Sequence, residues 1–132
     1  MPLLGLVSQI LPAVTGGNTV VALAPEEAPV TAVLLAEAVG VSDFPAGVIN
    51  LLTGFRGELV PDFASHEQIR GLDFVLARDA AEEVERAAAE AIKRCRWRET
   101  GKDDDWLADG IESVYEIRRF LEFKTVWHPH QV

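Results

Sequence analysis

Apolar residues in the first half of the chain switch between helical spacing and short unbroken runs. Positions 3, 4, 6, 7, 10, 11 and 14 are apolar, which predicts a helix over residues 3–14 that is covered on most sides. The run Thr19 to Leu23 is short and β-branched without alternation, as is typical of a buried parallel strand, and Val48 to Leu52 is predicted to be a second buried strand. The pattern therefore predicts a helix followed by two strands, with a connecting segment between the two strands.

The segments between and after these strands complete the alternation. Pro25-Glu26-Glu27 opens a helix to about Val39, because proline is tolerated in a first turn and carboxylates suit the positive end of the helix dipole. A short helix is expected over Glu58 to Ser65 and a third strand over Gln68 to Phe74. We predict an α/β fold, a partial Rossmann-like parallel sheet of about three strands with flanking helices.

The next helix is expected to begin at Asp79, with Glu82 as its capping-box partner. Its apolar face is predicted to continue to the only cysteine, Cys95, whose burial would leave the thiol inert. The basic residues of 93–98 then fall in the last helical turn, where cations offset the dipole. The predicted face consists of Val84, Ala88, Ala91, Ile92 and Cys95.

The C-terminal quarter is predicted to be a separate unit. A polar linker, Glu99 to Asp105, precedes a helix from about Trp106 to Phe120, and the tail then alternates with period two. We expect the tail to be an oligomerisation-type strand that pairs with a neighbouring chain more readily than with its own. The predicted division is 1–98 and 99–132, and the expected oligomerisation residues are Leu121, Phe123, Lys124, Thr125, Val126 and Trp127.

Charge and composition exclude several classes of function. The net charge of −9 opposes binding to nucleic acid or to anionic lipid, and no apolar run is long enough to cross a membrane. A single cysteine and the absence of a secretory signal pattern favour a cytoplasmic location. No metal site is expected, because His128-Pro129-His130 lacks further ligands nearby and Asp103-Asp104-Asp105 lacks the rest of a calcium loop.

Four short motifs in the first 75 residues resemble the aldehyde dehydrogenase superfamily. They are Gly17-Asn18-Thr19-Val20-Val21, Ala24-Pro25-Glu26, Phe44-Pro45-Ala46-Gly47-Val48-Ile49-Asn50 and Thr53-Gly54. The resemblance implies a cofactor site at the strand ends, where a lysine and a glutamate of the family hold the ribose hydroxyls of NAD(P). Here Leu23 stands at the lysine position and Glu26 matches the glutamate, although Glu26 also suits the start of a helix.

The glycine-rich part of the family site is altered as well. Gly54 matches its first glycine, but ungapped comparison puts Arg56 and Val60 at the next two glycines, and Leu76 replaces the glycine of a family Phe-Thr-Gly-Ser. Missing polar contacts commonly cost about 1–3 kcal/mol each, so we expect no useful cofactor affinity. The alternative is weak NAD or NADP binding through Glu26 and Gly54.

The tail resembles a smaller group within this superfamily. Its residues Lys124-Thr125-Val126-Trp127 are similar to the noncatalytic second half of the long two-part aldehyde dehydrogenases. The family nucleophile is a cysteine in a catalytic domain for which 132 residues leave no room. We therefore expect no catalytic residue and no enzyme activity. The expected role is a structural or assembly module, a homo-oligomer with a dimer favoured, or a partner of a full-length aldehyde dehydrogenase subunit. The alternative is an NAD(P)-binding accessory.

Overall fold

The computed structural model describes residues 1–101 and 106–128, which form helices and short strands in alternation. The helices are α1 Pro2–Thr15, α2 Pro29–Gly40, α3 Arg56–Ser65, α4 Arg78–Glu90 and α5 Val114–Arg118. The strands are β1 Val20–Leu23, β2 Ile49–Leu52, β3 Gly71–Leu76 and β4 Arg94–Glu99. A 3-10 turn, Asp109–Glu112, precedes α5.

The strands form two parallel pairs. β1 runs beside β2 with Val20 opposite Ile49, and β3 runs beside β4 with Gly71 opposite Arg94. The predicted α/β class with parallel pairing is confirmed. The three expected strands are present as β1, β2 and β3, and β4 is a fourth; among the described residues they are arranged in two sheets of two strands.

Each sheet has its own apolar core. Leu6 and Ile10 of α1 are buried with Ala24 and Ala32, and the inward side chains of β1 and β2 pack around them. The second core is built by Ala64, Leu72, Val84 and Ala88, which join α3 and α4 to β3. Both strand pairs are thus covered on one face by the helices that precede or follow them along the chain.

The end of α4 differs from the prediction. The buried positions Val84 and Ala88 are on the expected face, but the helix ends at Glu90, and Ile92 is 92% exposed with a φ of 52°. The chain reverses there and residues 94–99 form β4, so the interpretation of the basic cluster as a last helical turn is wrong. The arginines could enter a strand because two carboxylates lie beside it, as described below.

The start of α4 also differs. Its first residue is Arg78 and the preceding Ala77 makes no side-chain cap, so the capping box of Asp79 and Glu82 does not form. Glu82 instead accepts from the side chain of Arg78, one turn earlier, at 3.2 Å. Because Glu82 is engaged in this exposed ion pair, its carboxylate is not available for the capping box.

Two other helices are shorter than expected. Residues 25–28 form a turn and α2 begins only at Pro29, where proline occupies the first turn as its missing N–H allows. The predicted helix from Trp106 to Phe120 is instead a 3-10 turn, Asp109–Glu112, and the short helix α5, with a break at Ser113. The Ser113 hydroxyl accepts from the backbone N–H of Tyr115 and caps α5. The break lets this region fold back onto α1 and β3.

The tail lies beside β4 without joining it. Leu121 O accepts from the Arg94 guanidinium at 2.7 Å, and Glu122 pairs with the same arginine at 3.3 Å. Residues 121–128 form no strand within this chain, so pairing with a neighbour stays a prediction. Part of the polar linker, residues 102–105, and residues 129–132 lie outside the described chain.

Candidate functional site

The two residues expected to remain from a cofactor site lie close together. Glu26 follows β1 and Gly54 follows β2, and the last residues of these strands, Leu23 and Leu52, are direct neighbours in the parallel register. Ala24 N donates to Leu52 O at 2.8 Å, which continues the pairing past the end of β1. The fold therefore brings together the two loops in which sequence comparison placed the site.

Glu26 is engaged by the protein itself. One of its carboxylate oxygens accepts a hydrogen bond from the backbone N–H of Arg56, the first residue of α3. A helix N-terminus carries unsatisfied N–H groups and a partial positive charge, both of which favour a carboxylate. Glu26 thus ties the β1 loop to α3, and this carboxylate serves a helix that starts 30 residues later.

Gly54 is exposed, but a side chain packs on the side where its Cβ would lie. A Cβ built on Gly54 would lie 2.7 Å from Leu59 Cδ1, a distance that packed carbons do not reach. The missing side chain is therefore used for close packing of Leu59 from α3. A ligand that lay on this side of Gly54 would have to displace this leucine.

The other replaced positions have different surroundings. Val60 and Leu76 pack against the second core, so their side chains do not lie over Gly54. Leu23 is partly buried at the end of β1. The residue that sequence reasoning missed is Leu59, and the available signal was an apolar side chain in the first turn of the helix that follows Thr53-Gly54.

A cluster of four charged side chains lies on the other sheet. Arg98 on β4 is 4% exposed and pairs with Asp73 on β3, and Arg96 contacts the same carboxylate at 3.4 Å. Glu116 of α5 contacts Arg96 and is 3.7 Å from Arg98. Burial raises the pKa of Asp73, although Arg98 and Gln9 oppose the shift. The cluster holds α5 against β3 and β4.

Trp106 also contacts this cluster, through Arg98. The guanidinium of Arg98 lies 5.0 Å from its ring, within the range of a cation–π contact. The ring also packs on Gly5 of α1, where an added Cβ would come within 2.9 Å of it. The chain that follows the linker is therefore bound to both α1 and β4.

Cys95 is placed differently from the expectation. It lies on β4 and is exposed, so its assignment to a buried helix face is wrong. Partial burial and the nearby Glu85 raise the pKa of its thiol, and Lys93 only partly opposes them. A raised pKa reduces the reactive thiolate at neutral pH, which is the reverse of what a nucleophilic cysteine needs.

Metal and membrane binding find no support in the described chain. Among residues 1–101 and 106–128, no group of three or more His, Cys, Asp and Glu side chains could hold a metal ion. His128 is described, whereas the rest of the His-Pro-His motif lies outside that range. No helix in the same residues combines the length and the apolar character that a bilayer crossing requires.

Known proteins resemble the chain over most of its length. The model of the aldehyde dehydrogenase family matches residues 1–111. Hydroxyisobutyraldehyde dehydrogenase of Mycolicibacterium austroafricanum is 35% identical over 117 residues, which are 84% of this chain and 23% of the relative. Human retinaldehyde dehydrogenase 3 is 34% identical over 103 residues, which are 77% of this chain and 20% of the relative. The chain thus spans about a fifth of the length of these relatives.

Solved structures agree with the sequence comparison. An aldehyde dehydrogenase of Pseudomonas syringae, in complex with NAD+ and octanal, is similar with a TM-score of 0.68 and 33% identity over 72% of this chain and 20% of that one. A lactaldehyde dehydrogenase gives a TM-score of 0.71 and 26% identity over 76% of this chain and 21% of that one. The resemblance inferred from four short motifs is confirmed, and the chain belongs to the aldehyde dehydrogenase family.

Proposed function

We propose that this chain is a noncatalytic structural or assembly module of the aldehyde dehydrogenase family. The observation that carries the proposal is the state of the two retained residues: Glu26 binds the N-terminus of α3, and Leu59 packs on Gly54. Leu23 at the family's lysine position offers no hydrogen bond to a ribose or phosphate. The chain spans about a fifth of the length of the family members that it matches.

Calorimetric titration with NAD and with NADP tests the absence of a cofactor. We expect no saturable heat with either nucleotide, because binding would require Glu26 to leave Arg56 and Leu59 to leave Gly54. Leu23→Lys restores the family's cation and should not restore binding by itself. Low-micromolar affinity of the unaltered chain for either nucleotide would overturn the proposal.

The second candidate is an NAD(P)-binding accessory of an oxidoreductase. It is favoured by the position of Glu26 and Gly54 in the loops that follow two paired strands, which keeps the two matching residues of the family site at the same end of the sheet. The variant Leu59→Gly uncovers Gly54 and serves as its test. Binding by the double variant Leu23→Lys/Leu59→Gly, with none by the unaltered chain, would mean that the site has been closed rather than lost.

The assembly role is assigned to the tail. Phe123, Val126 and Trp127 are 76%, 69% and 88% exposed. Large apolar side chains exposed this closely together often mark a surface that binds another protein. A second copy of this chain is the favoured partner, and a full-length aldehyde dehydrogenase subunit is the alternative. Strand addition by the tail would cover these side chains and pair their backbone.

Sedimentation velocity measures this role directly. Deleting residues 121–132 should convert the oligomer to monomer or to aggregate, and the double variant Phe123→Ser/Trp127→Ser should weaken association in the same direction. Val41→Ser is the matched control, because Val41 is 89% exposed and lies outside the tail. An unchanged sedimentation profile after the deletion would count against the tail.

A further inference from the structure

The exposed part of the tail follows two residues that are packed against the rest of the chain. A Cβ added to Gly71 would lie 2.6 Å from the ring of Phe120. A Cβ added to Gly16 would lie 3.0 Å from the side chain of Leu121. Residues 122–128, in contrast, are all exposed and form no strand. The tail is therefore held at its start and presents seven consecutive residues to solvent.

The backbone of Leu121 marks where strand pairing could begin. Its N–H donates to the carbonyl oxygen of Arg118 at 3.3 Å, and its own carbonyl oxygen accepts from the Arg94 guanidinium at 2.7 Å. Both backbone groups of Leu121 are thus engaged within the chain. A strand from another molecule can pair with the tail only from residue 122 onward.

The exposed part of the tail carries no net charge. Glu122 and Lys124 offset each other, and His128 is counted as neutral. The whole chain carries a net charge of −9, so two copies repel each other over most of their surfaces. Two tails can approach each other without this repulsion, which favours the same segment of a second copy as the partner of the tail.

We propose that residues 122–128 of two copies pair with each other as an antiparallel two-stranded ribbon whose two-fold axis lies at Thr125. The inference rests on the assembly role proposed above and names the surface that the tail meets. In a two-fold interface, when residue i of one copy contacts residue j of the other, j also contacts i. An axis perpendicular to the ribbon keeps each residue on the same face in both copies. Because side chains alternate between faces, the axis must lie between two copies of one residue.

The register at Thr125 places compatible side chains opposite each other. Phe123 of each copy lies opposite Trp127 of the other, and the two Thr125 side chains face each other on the same side of the ribbon. Aromatic pairs and Thr–Thr pairs at opposite positions both stabilise antiparallel strands. The pairs on the other face are Glu122 with His128 and Lys124 with Val126.

The neighbouring registers fit less well. An axis at Lys124 would place two ammonium groups directly opposite each other, which destabilises a strand pair. An axis at Phe123 would require pairing by Leu121, whose backbone groups are already engaged. An axis at Val126 would place Phe123 opposite Pro129, which has no N–H to donate. Only the register at Thr125 uses all seven exposed residues with a partner for each.

The aromatic face of the proposed ribbon continues onto α5. The guanidinium of Arg118 lies 5.8 Å from the ring of Phe123 and 5.9 Å from the ring of Tyr115, which is also exposed. An isolated two-stranded ribbon is only marginally stable in water. The contact with Arg118 and the packing of the residues before the ribbon hold each tail in place, and we expect a dimer that depends on protein concentration.

Disulfide formation at the axis tests the register. In a Cys95→Ser background, Thr125→Cys places two thiols at directly opposite positions, with about 4.5–5.5 Å between the Cα atoms, a separation that a disulfide spans. Thr125 is exposed, so the substitution removes no core packing, and circular dichroism verifies the fold. Non-reducing electrophoresis after equilibration in glutathione redox buffers should show a disulfide-linked dimer at micromolar protein concentration.

Lys124→Cys and Val126→Cys in the same background are the matched controls, because both residues are exposed neighbours of Thr125. Two copies of either control are diagonal across the ribbon, about 7–8 Å apart, beyond the usual span of a disulfide. Each control alone should give at least tenfold less linked dimer than Thr125→Cys. A mixture of the two, one of them carrying a tag that changes its size, should link readily, since positions 124 and 126 are opposite each other.

Each result decides between the register, the tail-to-tail pairing and the assembly role. Equal linking at all three positions, or stronger linking of either control than of Thr125→Cys, would overturn the register at Thr125. No linking at any position, with the dimer intact in sedimentation, would overturn tail-to-tail pairing and leave the assembly role standing. A monomeric unaltered chain would overturn both the pairing and the assembly role.

Discussion

The carboxylate of Glu26 accepts a hydrogen bond from the backbone N–H of Arg56, and so a residue in a family cofactor position stabilises the start of a helix. The two residues are 30 positions apart and are brought together only because β1 and β2 pair in register. This contact gives Glu26 a structural role. A structural role and a cofactor-binding role predict different effects of replacing Glu26.

Replacing Glu26 by alanine should lower the free energy of unfolding by about 0.3–1 kcal/mol, the usual effect of a carboxylate at a helix N-terminus. Urea denaturation followed by circular dichroism measures the change. Glu27→Ala is the control, because Glu27 is also exposed and no hydrogen bond joins its side chain to α3. Equal losses in the two variants would contradict the capping role.

Glu116→Ala should be far more disruptive. The substitution leaves Arg96 and Arg98 with Asp73 as the remaining carboxylate of the cluster, and breaking a buried ion pair in this way costs about 3–5 kcal/mol. Chemical denaturation is the measurement and Glu112→Ala, an exposed acidic residue one turn earlier, is the control. Similar midpoints for the two variants would mean that the cluster adds little to stability.

Cys95 should react slowly with iodoacetamide. Because partial burial and Glu85 raise the pKa of the thiol, the folded chain holds less thiolate at neutral pH than the unfolded chain does. The rate should rise with pH up to the raised pKa, and the ratio of folded to unfolded rates should increase over that interval. Mass spectrometry follows the labelling, with the urea-unfolded chain as reference. Faster labelling in the folded state would revive a nucleophilic role.

Ile92→Gly should stabilise the chain by about 1 kcal/mol. Ile92 is a β-branched residue at a φ of 52°, where its side chain crowds the backbone, and its 92% exposure means that little packing is lost. Thermal and urea unfolding measure the effect. Ile92→Val keeps the branching and should change little. A destabilised glycine variant would indicate that the turn depends on a contact of the isoleucine.

The first half of the fold was predictable from the sequence because its signals are local. The helix α1 and the strands β1 and β2 match the expected bounds to within one residue, since short, mostly apolar runs between glycine and proline turns have few alternative structures. The cofactor-like positions were likewise located by short motifs that remain contiguous. The presence of these elements needed no knowledge of distant contacts.

β4 was missed because its stability is not local. Arg94, Arg96 and Arg98 alternate with Cys95 and Trp97, a period of two that also fits a basic helix end when the apolar count is small. The strand is possible because the arginines meet carboxylates from β3 and α5, which sequence patterns do not reveal. The same limit explains why the backbone partner of Glu26, which lies 30 residues away, could not be predicted.

The separation into two apolar cores has a consequence for how the molecule unfolds. The β1–β2 core and the β3–β4 core are each sealed by their own helices, and the amide of Gln9 is a polar tie between them. A small domain with a single core melts in one step, whereas two cores connected by polar and aromatic contacts can lose order one after the other. We expect partly folded forms in which one half is intact while the other has opened.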